Sequence, residues 1–149
     1  MILIAHRGNY MGADPKRENH PDHVLEALDN GYHAEIDVWF IDEKFYLGHD
    51  RPQYEVDISF LKDARLWCHA KNIEALEKMS DDNSIHCFWH QDDDVTLTSL
   101  GYLWTYPGCK ITSRSICVMP ESELANYNKD EINIAAGVCS DLLIDLLSV

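Results

Sequence analysis

The apolar residues of this chain fall into short runs rich in β-branched and aromatic side chains. Eight such runs stand out, at 2–5, 34–40, 45–47, 66–70, 85–89, 101–104, 115–119 and 137–139. A capping residue or a closing glycine bounds three helix-like segments between the runs, at 21–30, 73–79 and 128–136. Strands that alternate with helices are typical of βαβ units, so the pattern predicts an α/β fold with a parallel sheet.

Two lengths refine this prediction. The segment 42–44 between Phe40 and Phe45 is too short for a parallel crossover, so we expect a hairpin there. The whole chain of 149 residues suits one domain, residues 1–149, and leaves no room for a second. A complete (β/α)8 barrel usually needs ~250 residues, so length alone disfavours that fold.

Several apolar runs end abruptly in polar residues that can carry chemistry. Histidine stands at four of these ends, His6, His49, His69 and His90, and Asp141 follows the last run. In α/β sheets and barrels, functional groups collect at the carboxyl ends of the strands. We therefore expect about seven run ends to converge on one mouth, although polar loops alone would explain any single one of them.

Two pairs of polar residues recur at a spacing of two. Glu35 and Asp37 lie in an apolar strand, which directs both carboxylates to one face, and His69 and Lys71 repeat that geometry. Two neighbouring carboxylates repel each other unless a cation lies between them. A divalent cation such as Mg²⁺ or Ca²⁺ meets that need, whereas a solvent-facing strand is the alternative interpretation.

The tripeptide His6-Arg7-Gly8 follows the first run. Arginine offers a fixed fork for a phosphate, glycine permits close backbone approach, and histidine transfers protons near neutral pH. These residue types together suit phosphate-ester chemistry, but the tripeptide alone is weak evidence.

The order of motifs is more specific than any one of them. AlaHisArgGly, Glu18-Asn19, GluIleAspVal and GlyHisAsp follow one another, with 29 residues from His6 to Glu35 and 14 from Glu35 to His49. This order resembles the glycerophosphodiester phosphodiesterase family of the phospholipase-C-like phosphodiesterase superfamily, whose fold is a TIM barrel. The resemblance is detailed over residues 1–50 and looser at HisAlaLys (69–71) and at 138–141.

The resemblance implies an enzyme, a metal-dependent phosphoric diester hydrolase acting on a glycerophosphodiester-like or other small phosphodiester. His6 and His49 would be the paired general acid and base, and a cyclic phosphate is the family's usual intermediate. Glu35 and Asp37 would hold one divalent cation. Arg7 and Lys71 would bind the substrate phosphate, and Glu18 and Asn19 would support them, with Glu18 pairing with Arg7.

One position departs from the family pattern. His69 stands where the family supplies its third metal ligand, usually an acidic residue. Neutral imidazole is a poor ligand for Mg²⁺ or Ca²⁺ but a good one for Mn²⁺, Zn²⁺ or Fe²⁺. Either the site prefers a transition metal, or it binds a hard cation weakly through two carboxylates and water.

Aromatic residues supply further candidates for the mouth. His90 ends one run, and Trp104 resembles a tryptophan of a late strand that can face the substrate in the family. Trp39, Trp67 and Trp89 are assigned to the core or to the outside of the barrel.

The barrel of the family and the shortness of this chain are compatible if the outer helices are reduced. Only 16 residues separate Ile85 from Gly101, and 14 separate Gly101 from Ser115, which leaves little room for a full helix. We therefore predict a minimised TIM-barrel-like (β/α) barrel of about seven to eight strands, with several outer helices shortened or missing. Apolar sheet surface left bare by missing helices could be covered by a second copy of the chain, as a homo-oligomer.

Charge and cysteine content limit the partners and the compartment. A formal net charge of -14 disfavours nucleic acid and anionic lipid surfaces. Neither a signal peptide nor a membrane span is predicted. Five cysteines without CxxC spacing predict reduced thiols in a cytoplasmic protein.

Two other functions remain open at this stage. A non-catalytic module of the same fold would bind a phosphate ligand without cleaving it. A metal-independent phosphodiester lyase would replace the cation with a basic side chain, but Glu35 and Asp37 would then be expected to lack a counterion.

Overall fold

The computed structural model describes residues 1–122 and 127–144, and all structural statements refer to them. The strands in this part are β1 (Ile2–His6), β2 (His33–Ile41), β3 (Lys44–Leu47), β4 (Tyr54–Val56), β5 (Leu66–Ala70), β6 (Cys87–Trp89), β7 (Val95–Leu97), β8 (Leu103–Thr105), β9 (Ser115–Val118) and β10 (Gly137–Ser140). The helices are α1 (Pro21–Asp29), α2 (Ile58–Leu61), α3 (Ile73–Ser80) and α4 (Lys129–Ile134).

Seven of the strands are mutually parallel, and they lie in the order β6-β5-β2-β1-β10-β9-β8. This arrangement agrees with the predicted α/β class. The predicted hairpin joins β2 to β3. Asp42 and Glu43 form its two-residue turn with φ of +49° and +62°, the left-handed conformation that such turns require.

The sheet also contains three antiparallel strands, so ten strands replace the expected seven to eight. β3 and β4 extend from the second half of β2, and β7 pairs with β8. In the described ranges β6 and β7 share no ladder, although Ser99 N donates to Cys87 O at 2.9 Å. The sheet is thus a curled, open half-barrel, whereas a minimised TIM-barrel-like barrel was expected.

The two longest helices cover one part of the sheet. Apolar residues spaced three and four apart bury one side of α1, and α3 likewise buries Ala75 and Met79. His20 caps α1 by accepting a hydrogen bond from Asp22 N, and Asn72 caps α3 by accepting one from Ala75 N.

The opposite part of the sheet lacks this cover. No helix occurs between residues 90 and 114, where short loops and β7 connect the strands. The expectation that several outer helices are shortened or missing agrees with this region.

The inside of the curl is filled by a separate apolar cluster. Its buried members are Ile4, Trp67, Phe88, Trp104, Ile116, Val118 and Cys139. Large rings fill most of this space, with Trp67 and Trp104 centred 5.9 Å apart. The carboxyl ends of the strands therefore lie directly above a tightly packed apolar cluster.

None of the helices in the described ranges is sufficiently long and apolar to cross a membrane.

Candidate active site

A cavity of about 350 Å³ opens at the carboxyl ends of the parallel strands. The run ends at His6, His69 and His90 meet there because β1, β5 and β6 are parallel and end on the same edge of the sheet, and His49 joins them from the antiparallel β3. Nine of the eleven site residues predicted from the sequence line this cavity: His6, Arg7, Glu35, Asp37, His49, His69, Lys71, His90 and Trp104. The remaining two, Glu18 and Asn19, line a neighbouring cavity that shares Arg7 and His49 with the first.

Asp37 lies at the centre of the charged groups. Its carboxylate is 1% exposed, and three cationic atoms lie near it: Arg7 Nε at 3.3 Å, His69 Nδ1 at 3.2 Å and Lys71 Nζ at 3.6 Å. Burial by itself raises the pKa of Asp37, but His69, Lys71 and Arg7 together hold that pKa well below its usual range. Asp37 is therefore ionised across the physiological range.

Asn19 fixes the orientation of Asp37. Its amide Nδ2 donates to Asp37 Oδ2 and its Oδ1 accepts from Asp37 N, both at 2.8 Å. Arg7 and Asn19 adopt left-handed backbone conformations with φ of +53° and +60°, and Asn19 N donates to Arg7 O at 3.0 Å. Such conformations are costly for residues other than glycine, and they often occur where a side chain must be held in one functional position.

Two acidic side chains orient Arg7. Its Nη1 donates to Glu18 Oε2 at 2.8 Å, which is the pairing predicted from the sequence. Its backbone N–H donates to Glu35 Oε2 at 3.2 Å. The guanidinium therefore reaches the cavity between Glu18 and Asp37, where it can still meet a phosphate with its free edge.

His69 contacts both strand carboxylates through one ring nitrogen. Its Nδ1 lies 3.2 Å from Asp37 and 3.7 Å from Glu35 Oε1, and its Nε2 lies 3.0 Å from the carbonyl oxygen of His90. Burial lowers the pKa of His69, but the neighbouring carboxylates of Asp37 and Glu35 outweigh burial and raise it to about 9. At neutral pH His69 Nε2 donates to His90 O, and the protonated ring supplies a counter-charge to the two carboxylates near Nδ1.

The same three side chains suit a divalent cation. Ligand atoms of Glu35, Asp37 and His69 all lie within 4.8 Å of one another. Because His69 Nε2 is held by a backbone carbonyl, its Nδ1 is the nitrogen available to a metal, the usual arrangement for a ligating histidine. Metal binding there requires loss of the His69 proton, so a cation and a proton compete for this position.

His6 is oriented by Asp141, a residue at a run end to which the sequence assigned no specific role. Asp141 Oδ1 lies 2.9 Å from His6 Nδ1, and these side chains are 15% and 18% exposed. Burial lowers the pKa of His6, but the hydrogen bond to Asp141 and the charge of Glu35 raise it above its ordinary value. Nε2 makes no hydrogen bond to the residues that the structure describes, so it is available as a proton carrier.

Asn9, which is fully buried, joins this histidine to the arginine. Its Nδ2 donates to Asp141 Oδ1 at 2.9 Å and to Glu18 Oε1 at 3.3 Å. Its Oδ1 lies 3.0 Å from His23 Nε2, a ring nitrogen that can donate to it. One amide thus holds the carboxylates that orient His6 and Arg7.

His49 reaches the cavity from the loop after β3. Its Nδ1 lies 2.7 Å from Asp50 Oδ1, and its side chain is 41% exposed. The loop is anchored because Trp39 Nε1 donates to Gly48 O at 2.6 Å. Gly48 is required there, since its φ is +151° and a Cβ would clash with the carbonyl oxygen of Arg51.

Aromatic rings form the opposite wall. His90 stacks on Tyr106 with ring centres 4.2 Å apart, and Trp104 packs on Phe88 at 4.8 Å. Trp89 also lines the cavity, but its partly buried side chain packs against the core that contains Ala70 and Cys87, which agrees with its assignment to the core or the exterior.

Comparisons of the chain with protein-family models, with curated proteins and with solved structures find no match. The function is therefore inferred from the residues of the site.

Proposed function

We propose that this protein is a phosphodiesterase that uses His6 and His49 as general acid and base on a small phosphodiester. One observation supports this proposal: two histidines, each with a carboxylate partner, line the same cavity as the cationic side chains of Arg7 and Lys71. Each Nδ1 faces an aspartate, so each Nε2 is free to exchange a proton.

Arg7 and Lys71 are the residues that would bind the substrate phosphate. In a chain of formal charge -14, an anionic substrate needs such local cations in order to enter. Both lie within 3.6 Å of Asp37, which keeps their charged groups in the cavity. They would neutralise the non-bridging oxygens as negative charge builds up on them.

The reaction requires two proton transfers. One histidine takes the proton of an attacking hydroxyl, from water or from the substrate itself, as its oxygen bonds to phosphorus. The second histidine gives a proton to the alkoxide whose bond to phosphorus breaks. Attack by a substrate hydroxyl yields a cyclic phosphate, which water then opens to a monoester.

Glu35, Asp37 and His69 would hold one divalent cation, Mg²⁺, Ca²⁺, Mn²⁺ or Zn²⁺. When bound, that cation supplies Lewis-acid stabilisation to the phosphoryl oxygens. The imidazole favours Mn²⁺ or Zn²⁺, whereas the two carboxylates suit the harder ions.

We further propose that the chain is an unusually short member of the glycerophosphodiester phosphodiesterase family with a minimised barrel. The supporting observations are seven parallel strands and a site at their carboxyl ends. Two hydrogen bonds also link the open edges, because Ser99 N donates to Cys87 O and Thr96 Oγ1 to Trp89 O.

A metal-independent lyase is the second candidate, and one observation favours it. The carboxylates were expected to lack a counterion in such an enzyme, but Asp37 already has Arg7, His69 and Lys71 around it. In a lyase of this kind, protonated His69 would replace the divalent cation, and the reaction would stop at the cyclic phosphate. Activity that survives EDTA and accumulates cyclic product would favour the lyase.

The test compares the wild type with His6→Ala and His49→Ala on a chromogenic phosphodiester, with each divalent cation and with EDTA. His20→Asn is the matched control, because it keeps an acceptor for Asp22 N and lies outside the cavity. We expect each alanine variant to lose at least about 100-fold in kcat while the control is unchanged. Equal rates in all four proteins would refute acid-base catalysis by this pair.

A further inference from the structure

His23 is a buried residue of helix α1 that does not line the cavity. Its ring packs against the loop after β1, where a Cβ on Gly8 would lie only 3.1 Å from His23 Cδ2. The glycine therefore lets the imidazole come close to the backbone of this loop. From there His23 Nε2 reaches the next residue, Asn9, and lies 3.0 Å from its Oδ1.

The Asn9 amide can support the site in only one of its two orientations. Its Nδ2 donates to Asp141 and to Glu18, so a reversed amide would direct its oxygen at two carboxylates. Two donors at the other end oppose that reversal, His23 Nε2 and the backbone N–H of Asp14 at 3.3 Å. The His23 contact is the shorter of the two, and it is made by a side chain.

The protonation of His23 suits this contact. Burial and the charge of Arg17 lower the pKa of His23, so the ring is neutral at physiological pH and carries one proton. That proton is on Nε2, because Nε2 faces an amide oxygen. In the part of the chain that the structure describes, the buried Nδ1 has no hydrogen-bond partner, and Glu26 Oε2 lies 4.0 Å from it.

The unpartnered nitrogen indicates what the ring contributes. A buried polar atom without a partner costs free energy that an apolar side chain of similar size would avoid. Packing alone therefore does not account for a histidine at position 23, whereas the hydrogen bond from Nε2 to Asn9 does.

We propose that His23 is a positioning residue, which fixes the Asn9 amide and thereby both groups that this amide supports. Through Asp141 it acts on the proton carrier His6, and through Glu18 it acts on Arg7. The inference rests on the proposed phosphodiesterase function and adds to it a residue that lies outside the cavity.

The test replaces His23 by methionine and by glutamine. Methionine fills a similar space without a donor, whereas the amide nitrogen of glutamine can take the place of Nε2. By phosphorus NMR of a diester with Mn²⁺, we expect His23→Met to lower kcat by at least about tenfold and His23→Gln to stay within about threefold of wild type. A glutamine variant as slow as the methionine variant, or a folded methionine variant with the wild-type kcat, overturns the inference.

His86→Met is the matched control. His86 is also a buried histidine, but it lies directly before β6, at the opposite end of the strands from the cavity. Its replacement should lower the free energy of unfolding and leave kcat unchanged. A fall in kcat equal to that of His23→Met would show that loss of stability alone explains both variants, and would overturn the inference.

A double-mutant cycle with Asn9→Ala tests whether His23 acts through the amide. If it does, His23→Met should lower kcat by less than about twofold in the Asn9→Ala background, because the group that His23 positions is absent. The same loss in both backgrounds would mean that His23 acts by another route, and would overturn the inference.

An NMR titration of the His6 ring separates this inference from the proposed function, since it needs no turnover. Asp141 counters burial and raises the pKa of His6, so a carboxylate that is held less firmly should move the titration to lower pH in His23→Met but not in His23→Gln. If the wild type cleaves no diester, the phosphodiesterase proposal fails and the titration alone decides. A shift confined to the methionine variant then supports the positioning role of His23, and identical curves overturn it.

Discussion

The hydrogen bond between Asp141 and His6 gives the sharpest mutational prediction. Asp141→Asn keeps the shape of the side chain but removes the charge that lies 2.9 Å from His6 Nδ1. Both side chains are less than a fifth exposed, so water screens this contact only weakly. A hydrogen bond to a charged group contributes about 1.5–3 kcal/mol, which corresponds to a loss of about 10- to 100-fold in kcat.

The same variant should change the pH dependence. Asp141 raises the pKa of His6, so its replacement lowers that pKa, and the limb of the pH–rate profile governed by His6 moves to lower pH. An NMR titration of the His6 ring protons measures the pKa independently of turnover. Asp42→Asn, in the exposed hairpin turn, is the matched control. A kcat within twofold of wild type together with an unchanged His6 titration would refute an orienting role for Asp141.

Three further predictions concern the buried polar groups. In the metal-free protein the protonated ring of His69, whose pKa is raised to about 9, stabilises the fold fully below pH 6.5. This contribution is lost as the pH rises to about 9. Urea unfolding should then show a fall of up to about 3 kcal/mol between these pH values, and His69→Gln should remove most of that slope. His69→Asp should tighten Ca²⁺ binding by at least about tenfold in calorimetry, because it adds a third carboxylate, and unchanged affinity would argue against a cation at this position. Asn9→Ala should lower the free energy of unfolding by about 2–4 kcal/mol and also reduce kcat, because Asp141 and Glu18 each lose a buried donor. An unchanged free energy of unfolding would contradict this role.

Local patterns in the sequence predicted much of the sheet and of the cavity lining. The spacing of Glu35 and Asp37 predicted a shared face, and both line the cavity. The helix at 73–79 is observed as Ile73–Ser80, and the runs that end in His6 and His69 are parallel strands. These features depend on residues close together in the chain, where the periodicity of strands and helices is a direct physical signal.

Other features depend on contacts that the sequence pattern does not contain. β4 and β7 are three-residue strands without a fully buried side chain, so no buried face marked them in the sequence. Asp141 contacts His6, from which 135 residues of the chain separate it. The hydrogen bond from Asn9 to Asp141 likewise forms only in the folded chain. The cations around Asp37 likewise come from β5 and from the end of β1, so its charge balance became visible only in the assembled sheet.

Phosphorus NMR of a glycerophosphodiester incubated with the wild-type protein tests the phosphodiesterase proposal most directly. With Mn²⁺ or Ca²⁺ the diester signal should disappear and a monoester signal should replace it, whereas His6→Ala and His49→Ala should leave the diester intact. An unchanged diester signal with the wild type, in the presence of each divalent cation and with EDTA alike, would contradict it.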